Sequence, residues 1–220
     1  MMTSTPERVI AYVDGFNLYY GLRDSGFRRF YWLNVQALAA SLLRPTQRLV
    51  FTKYFTARLS GSSPAGSVEA DRHFDAKRRR QSDFLEALRT LSDFEMFEGH
   101  FLGKTIQCQS CRASWRSHEE KMTDVQIATE MLTDAFTDKF DAALLLSADS
   151  DLVPPSLAIR QFFPDKRIVV AFPPRRSSVE LKRAANGWLH VGIDKLRRSQ
   201  FPDAVRKPDG FVLRRPASWR

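Results

Sequence analysis

The stretch that decides the fold is Ala142-Ala143-Leu144-Leu145-Leu146-Ser147-Ala148-Asp149-Ser150-Asp151-Leu152-Val153-Pro154-Pro155. It begins with five apolar residues, and a short apolar run bounded by turn residues is typical of a strand buried on both faces. Ser-Ala-Asp-Ser-Asp follows, and then two prolines, which favour the first turn of a helix. The stretch therefore predicts a central strand that delivers Asp149 and Asp151 to its carboxyl end, where open α/β sheets bind their ligands.

Outward from this stretch, strands and helices are predicted to alternate. Apolar and β-branched runs predict strands, in addition to 141–147, at 8–14, 48–58, 94–102, 166–172 and 188–191. Helical spacing predicts helices at 16–23, 35–43, 68–91, 125–136, 152–162 and 178–185. This alternation predicts an α/β fold with a mostly parallel sheet covered by helices on both faces. Right-handed crossovers would bring the carboxyl ends of all the parallel strands to one edge.

Length and composition indicate one globular domain, residues 1–196, followed by a basic extension, residues 197–220. The chain is 43% hydrophobic and 12% aromatic, which excludes broad disorder. Its net charge of +9 favours a polyanionic partner, nucleic acid before an anionic membrane, although solubility alone could also explain the charge. No apolar run reaches the roughly 20 residues of a membrane span. Residues 1–7 lack the apolar core of a secretory signal, so we expect a cytoplasmic protein.

Two segments interrupt the alternation. Residues 60–67 predict a flexible connection, and residues 104–115 predict a hairpin or finger within 103–118. From Arg197 onward the chain has seven basic residues, two acidic residues and three prolines, which predicts an irregular arm over the surface.

The predicted finger carries Cys108-Gln-Ser-Cys111 at its tip. This pair is half of a zinc knuckle, and His100 and His118 flank it as further possible ligands. The spacing matches no established zinc motif, so reduced structural thiols are the alternative. Two cysteines are too few for a disulfide framework.

Acidic residues are predicted to gather at the edge of the sheet that holds Asp149 and Asp151. Asp14 ends the first strand, Asn17 lies one helical turn later, and Asp124 precedes the helix at 125–136. Close carboxylates repel each other unless a cation lies between them. Mg²⁺ and Mn²⁺ prefer such oxygen ligands, and they activate water for an in-line displacement at phosphorus.

Each acid also has a purely structural interpretation. Asp14 could cap the first helix, and Ser150 or Asp151 could cap the helix that contains Pro154. Asp124 could complement a helix dipole behind a capping box formed by residues 123–126. These interpretations do not explain why all the acids are expected at the same edge.

Basic and aromatic side chains near this edge would bind the substrate. Lys121 is a candidate contact for the scissile phosphate, and Asn17 could orient a carboxylate or the phosphate. Tyr19, Tyr20 and Trp115 are candidates for stacking on unpaired bases, unless the two tyrosines belong to the core. The candidate contacts to the nucleic-acid backbone are Lys77, Arg78, Arg79, Arg80, Arg175 and Arg176. For the run 77–80, a solvated helix face is the alternative.

Three blocks of this sequence resemble the signature blocks of NYN-domain proteins, in particular their bacterial, LabA-like branch. They are Val13-Asp14-Gly15-Phe16-Asn17-Leu18, Glu120-Lys121-Met122-Thr123-Asp124-Val125, and Leu146-Ser147-Ala148-Asp149-Ser150-Asp151-Leu152-Val153-Pro154. Phe172-Pro173-Pro174 and residues 215–219 are similar to further features of that branch, so the resemblance covers nearly the whole chain. Ala148 departs from the pattern, since many relatives carry glycine there.

The resemblance implies a Rossmann-like PIN fold and metal-dependent hydrolysis of RNA, with Mg²⁺ or Mn²⁺ as cofactor. It implies an acidic quartet of Asp14, Asp124, Asp149 and Asp151, with Asn17 beside it. We expect Asp14, Asp149 and Asp151 to hold most of the metal, and Asp124 to complete the site and help position the attacking water.

Two other functions stay open from the sequence. One is an RNA-binding adaptor with an idle acidic site, and the other is a Mg²⁺-dependent phosphatase or nucleotide hydrolase. The chain contains no Gly-x-x-x-x-Gly-Lys motif, which argues against a P-loop NTPase.

Overall fold

The chain forms a seven-stranded sheet with the strand order β4-β3-β2-β1-β5-β6-β7, and every strand except β4 is parallel to its neighbours. The structure is a computed structural model and describes residues 5–59 and 68–220. The predicted connection at 60–67 lies outside these residues. No helix in the described part of the chain is long and apolar enough to cross a membrane.

The elements lie close to their predicted positions. The strands are β1 Glu7–Asp14, β2 Gln47–Ala57, β3 Phe94–Gln107, β4 Ser114–Lys121, β5 Ala142–Leu146, β6 Arg167–Phe172 and β7 Gly187–His190. The helices are α1 Gly15–Asp24, α2 Val35–Ser41, α3 Val68–Leu88, α4 Thr123–Phe136, α5 Val153–Phe162, α6 Val179–Ala184 and α7 Ile193–Arg198. A 3-10 turn, Ser150–Leu152, precedes α5.

Alternating residues of the central strands face two separate cores. In β1, Val9, Ala11 and Val13 pack with residues of α1, α2 and α3 on one face. Ile10 and Tyr12 pack with residues of α4 and α5 on the other face. The parallel sheet therefore has helices on both sides, which confirms the predicted fold class.

The order of the strands reverses between β1 and β5, and this places the ends of these two strands side by side. Val13 pairs with Leu146, so Asp14 and Ser147 are the next residues at the same edge of the sheet. In open α/β sheets such a reversal leaves a crevice outside the carboxyl ends of the strands. The fold thus positions a candidate site between Asp14 and the turn at 147–149.

A buried polar network fixes α4 against the sheet. The Lys53 Nζ lies 2.6 Å from Glu130 Oε2 and 2.5 Å from Asp134 Oδ2. The Tyr12 hydroxyl donates a hydrogen bond of 2.7 Å to Asp134, and burial raises the pKa of Tyr12. These contacts join β1 and β2 to α4, and they hold the helix that carries Asp124.

The hairpin of β3 and β4 is longer than predicted and begins at the candidate site. Gly99 pairs with Ala57, the last residue of β2, so residues 100–107 continue beyond the sheet with β4 as their only paired strand. Residues 119–121 lie beyond the predicted finger at 103–118, but they form the end of β4. The chain therefore returns to the sheet edge at Lys121.

The C-terminal residues are more ordered than their composition predicts. Two short strands, β8 Ala204–Arg206 and β9 Val212–Arg214, form an antiparallel pair. Widely spaced apolar residues of this segment enter the same core as α1 and α3: Phe201, Val205, Leu213 and Trp219. Proline and basic residues dominate the composition, but these four side chains provide enough apolar surface to order the chain.

Candidate metal and substrate site

Three carboxylates converge at the carboxyl edge of the sheet, and we call Asp14, Asp124 and Asp149 the acidic cluster. One ligand atom from each residue lies within 4.8 Å of the others. Asp14 is buried with 4% exposure, whereas Asp124 and Asp149 are partly exposed. Three carboxylates with an open side fit the chemistry of Mg²⁺ or Mn²⁺, which take oxygen ligands and keep several waters.

Asp14 is held by hydrogen bonds to both of its oxygens. Oδ1 accepts a bond of 2.9 Å from the Asn17 backbone N–H, and Oδ2 accepts one of 2.8 Å from the Ser147 hydroxyl. Asp14 therefore caps α1, as the structural interpretation proposed, and it also belongs to the acidic cluster. The two roles are compatible because a carboxylate has more than one lone pair on each oxygen.

Ser147 joins the two strand ends, although sequence reasoning did not select it. Its side chain is fully buried, and its hydroxyl oxygen also accepts a bond of 3.0 Å from the Asp149 N–H. A buried hydroxyl that donates to one acidic residue and accepts from the backbone of another fixes their spacing. The feature of the sequence that could have identified Ser147 is its position as the first residue after the apolar strand.

Asn17 holds the turn that carries Asp149. Its side-chain Oδ1 accepts a bond of 3.1 Å from the Ala148 N–H. Ala148 does not adopt the left-handed conformation that favours glycine, so its methyl group is compatible with the turn. The departure from the family pattern at this position therefore does not disturb the site.

Asp151 lies at the margin of the site. The Asp149 side chain accepts a bond of 3.0 Å from the Asp151 N–H and so caps the 3-10 turn. Neither Ser150 nor Asp151 caps the helix that contains Pro154, because Leu152 occupies its N-cap position. Asp151 is exposed and outside the acidic cluster, although its charge contributes to raising the pKa of Asp124. From the sequence we expect Asp151 to hold the metal with Asp14 and Asp149, and Asp124 to complete the site. In the structure Asp124 belongs to the acidic cluster, and Asp151 lies outside it.

Asp124 reaches the site because β4 runs directly into α4. The capping box expected at 123–126 does not form, since Met122 occupies the N-cap position with φ of 81° and no side-chain cap. A Cβ atom on Gly99 would lie 2.5 Å from the Lys121 carbonyl oxygen and 2.9 Å from the Thr123 hydroxyl oxygen. Only glycine allows β3 to approach this junction so closely.

The acidic cluster resists ionisation when no cation is bound. Burial raises the pKa of Asp14 to about 6, against the hydrogen bonds from Asn17 and Ser147, and the charges of Asp124 and Asp149 add to the rise. Burial also raises the pKa of Asp124, with contributions from Asp149 and Asp151. A divalent cation would remove this repulsion.

An aromatic pocket of about 950 Å³ opens beside the acidic cluster, between α1 and α3. Gly15 and Phe16, which directly follow Asp14, form part of its wall. Its other aromatic walls include Tyr19, Tyr20, Tyr31, Phe84, Phe101 and Trp219. The tyrosines selected for stacking therefore line a cavity, with Tyr19 half-buried and Tyr20 38% exposed.

The basic residues predicted to bind RNA occupy different positions. Lys77 and Arg80 line the aromatic pocket, whereas Arg79 does not line it and Arg78 pairs with Asp75 at 3.0 Å. Arg175 and Arg176 follow β6 and contact Asp24 at the end of α1. Arg175 Nη1 donates to the Asp24 carbonyl at 3.0 Å, and Arg176 Nη2 lies 2.6 Å from its carboxylate. These two arginines therefore join α1 to the loop after β6.

The strand register contradicts the proposed four-ligand zinc site. Cys108 and Cys111 are free at the tip of the hairpin, but His100 pairs with Lys121 at its base. His100 and Gln107 are seven positions apart along β3, a span of roughly 23 Å at the rise of a β-strand. His100 and the cysteines are too far apart to share an ion. The side chain of His118 lies outside the described residues.

Comparisons with known proteins agree with this architecture. The family profile described as NYN domain matches residues 8–192. The curated protein 6-hydroxy-3-succinoylpyridine 3-monooxygenase HspA of Pseudomonas putida (strain DSM 28022 / S16) is 28% identical over 259 aligned residues, covering 99% of this chain and 77% of that protein. The crystal structure of a protein of unknown function from Vibrio parahaemolyticus RIMD 2210633 matches with a TM-score of 0.53 at 20% identity, covering 88% of this chain and 98% of that chain.

Proposed function

The chain belongs to the NYN domain family, a family of PIN-like nucleases, and from this premise we propose that it is a divalent-metal-dependent endoribonuclease. The observation that carries the proposal is the acidic cluster, whose three carboxylates approach within 4.8 Å at the carboxyl edge of the sheet. Carboxylates this close in a partly buried site are costly without a cation. A site of this kind suits hydrolysis of a phosphodiester bond.

In this proposal Asp14, Asp124 and Asp149 hold Mg²⁺ or Mn²⁺, and Asp151 contributes negative charge at the margin. The bound ion would act as a Lewis acid and would lower the pKa of a water molecule. Ser147 and Asn17 keep Asp14 and the 147–149 turn aligned through the hydrogen bonds described above. Asp124, at the start of α4, helps position the water that attacks phosphorus while one bridging P–O bond breaks.

Lys121 is proposed to contact the scissile phosphate. It is the last residue of β4 and lies three positions before Asp124, at the edge where the strand ends meet. A lysine ammonium is a mobile point charge that suits a non-bridging phosphate oxygen.

The replacement Asp149→Asn tests the proposal. We expect it to reduce cleavage of labelled RNA in Mn²⁺ by roughly a hundredfold or more, because a metal ligand is lost. The melting temperature in EDTA should be unchanged or slightly higher, since repulsion within the acidic cluster is relieved. Asp165→Asn is the matched control, because Asp165 is exposed and precedes β6 at the opposite edge of the sheet. Undiminished cleavage by Asp149→Asn would contradict the proposal.

The same assay separates the two other functions left open by the sequence. An RNA-binding adaptor would retard RNA in a gel in the presence of EDTA and never shorten it in Mn²⁺. A phosphatase would hydrolyse p-nitrophenyl phosphate faster than RNA.

The similarity to a pyridine monooxygenase suggests a second candidate, oxidation of a small aromatic acid. The aromatic pocket favours it, because its volume of about 950 Å³ and its aromatic walls are those of a small-molecule site. The test is incubation with 6-hydroxy-3-succinoylpyridine, labelled dioxygen and a nicotinamide reductant. Mass spectrometry should then find one labelled oxygen atom in the product, and its absence would remove this candidate.

A further inference from the structure

The aromatic pocket carries an unusual combination of charge and exposed ring surface. Four basic residues line it, namely Arg23, Arg28, Lys77 and Arg80, and none of the described residues in its wall is an aspartate or glutamate. A cavity with only positive side chains attracts an anion, because the cations repel one another until a negative group lies between them.

Lys77 and Arg80 lie three positions apart on α3, and, like Arg28, they have no acidic partner among the described residues. Arg23 pairs with Asp24 at 3.0 Å, whereas Lys77 and Arg80 form no ion pair with any residue in the described part of the chain. Desolvation lowers the pKa of Lys77, and the charges of Arg23 and Arg80 add to this effect. The Lys77 Nζ lies 5.9 Å from the centroid of the Tyr19 ring, so the unpaired ammonium stands next to the aromatic wall.

The rings of the pocket offer surfaces for stacking. Tyr19 and Tyr31 lie 5.3 Å apart between centroids, and Tyr31 and Trp219 lie 5.6 Å apart. Phe16 contacts Tyr20 and Phe101, with centroids 6.3 Å and 5.6 Å apart, and a Tyr19–Tyr20 contact of 5.4 Å joins these rings to the first group. A planar ring lying against this continuous aromatic wall would gain stacking contacts.

The pocket is also adjacent to the acidic cluster. Gly15 and Phe16 belong to its wall, and Gly15 directly follows Asp14. The Cα atoms of neighbouring residues are about 3.8 Å apart, so the pocket wall begins one residue from a cluster carboxylate. The wall of the pocket thus reaches the residue next to Asp14, although none of the three cluster carboxylates is part of that wall.

We propose that the aromatic pocket binds a planar aromatic ring carrying an anionic group, with the ring stacked on the aromatic wall and the anion on Lys77 and Arg80. Given the proposed nuclease function, on which this identification rests, the ligand is one unstacked nucleotide of the RNA next to the cleaved bond. The same chemistry is found in a free aromatic acid, and the experiment distinguishes the two sources.

Binding is measured by calorimetry in EDTA, so that the acidic cluster holds no metal. The probes are adenosine 5′-monophosphate, adenosine, inorganic phosphate and nicotinate. We expect the nucleotide to bind more tightly than adenosine or phosphate. The double variant Lys77→Gln/Arg80→Gln should weaken nucleotide binding roughly tenfold or more, because hydrogen bonds to a charged group are lost.

Two further variants test the ring and the helix surface separately. Tyr20→Leu should weaken nucleotide binding roughly tenfold, because the stacking surface is lost, while Tyr20→Phe keeps it. Arg72→Gln is the matched control on α3, because Arg72 is exposed and does not line the pocket. Its binding should equal that of the wild type. Equal losses in Arg72→Gln and in the double variant would overturn the proposal, since they would indicate only a general charge effect.

The remaining outcomes are decisive for the ligand class. Tighter binding of nicotinate than of the nucleotide, still sensitive to Lys77→Gln/Arg80→Gln, supports the pocket and assigns it to a free aromatic acid. No binding of either probe overturns the proposal.

If RNA is not cleaved but the nucleotide binds, the nuclease function fails and the pocket stands. If RNA is cleaved equally by wild type and double variant and no probe binds, the pocket fails and the nuclease function stands.

Discussion

Asp14 shows how one side chain can serve both the fold and the candidate site. Its two oxygens accept hydrogen bonds from Asn17 and Ser147, and the residue is nearly inaccessible to water. These bonds stabilise the ionised form, but burial outweighs them and raises the pKa to about 6. A nearby cation would therefore favour the ionised form of Asp14, because ionisation of the buried carboxyl without a cation destabilises the folded protein.

This balance predicts an unusual pH dependence of stability in EDTA. The ordinary pKa of the carboxyl is 3.8, and in the folded protein it is about 6. Between these values the folded protein holds a proton that the unfolded chain has lost, so protonation stabilises the fold. The contribution of Asp14 to the free energy of unfolding should therefore fall by about 1 kcal/mol as the pH rises from 5 to 7.5.

Urea unfolding of wild type and Asp14→Asn at both pH values checks this prediction. The difference between the two proteins reports the titration of Asp14 together with its coupling to Asp124 and Asp149, while the other titrating groups are shared. Mn²⁺ should raise the melting temperature of the wild type more at pH 7.5 than at pH 5, because it binds the ionised carboxylate. A wild-type protein that gains stability relative to Asp14→Asn as the pH rises in EDTA would contradict the prediction.

At the scale of elements, the junction of β4 and α4 decides whether Asp124 reaches the acidic cluster. The strand passes into the helix through a single residue, Met122, in the left-handed region. Such a conformation costs a non-glycine residue of order 1 kcal/mol or more and persists only when its surroundings enforce it. Here the close approach of β3 at Gly99 and the buried contacts of Lys53 with α4 supply the constraint.

The replacement Gly99→Ala should disturb this junction. The new methyl group would lie 2.5 Å from the Lys121 carbonyl oxygen, and backbone atoms must move to accommodate it. We expect a loss of about 1–3 kcal/mol in the free energy of unfolding, as for other overpacked sites. Cleavage should fall as well, because Asp124 would be displaced.

Gly187→Ala is the matched control for this change. Gly187 begins β7, and an added Cβ atom would meet nothing within 4 Å. Chemical denaturation and the RNA cleavage assay should both give values near the wild type. Equal effects of the two substitutions would show that the junction is not tightly packed.

At the scale of the whole molecule, the C-terminal segment completes the core that supports the aromatic pocket. Trp219 lies within 6.3 Å, between ring centroids, of Tyr31, Trp32 and Phe84. Arg215 Nη2 donates a hydrogen bond of 2.7 Å to its carbonyl oxygen. The end of the chain is thereby joined to residues nearly two hundred positions earlier, and it forms one wall of the pocket.

Trp219→Ala should therefore destabilise the whole domain. A buried tryptophan replaced by alanine typically costs about 3–5 kcal/mol, because apolar contacts are lost and a cavity remains. Trp188→Ala is the control, since Trp188 is 50% exposed on β7, and it should cost less than about half as much. Urea denaturation measures both. A smaller loss for Trp219→Ala than for Trp188→Ala would mean that the C-terminal segment is not part of the stabilising core.

The sequence by itself determined the layered α/β fold and the strands that end in Asp14 and at the turn before Asp149. These features follow from the period of apolar residues and from turn chemistry, which are local properties of a few adjacent residues. The cysteine pair at a hairpin tip could be predicted for the same reason.

Only the tertiary structure decided which side chains meet. It brought Asp124, rather than Asp151, close to Asp14 and Asp149, and it inserted Ser147 between two acids. It also separated His100 from the cysteines and ordered the basic C-terminal segment around Trp219. Distances between residues far apart in the chain depend on strand order, register and packing, and no local pattern of residue types contains that information.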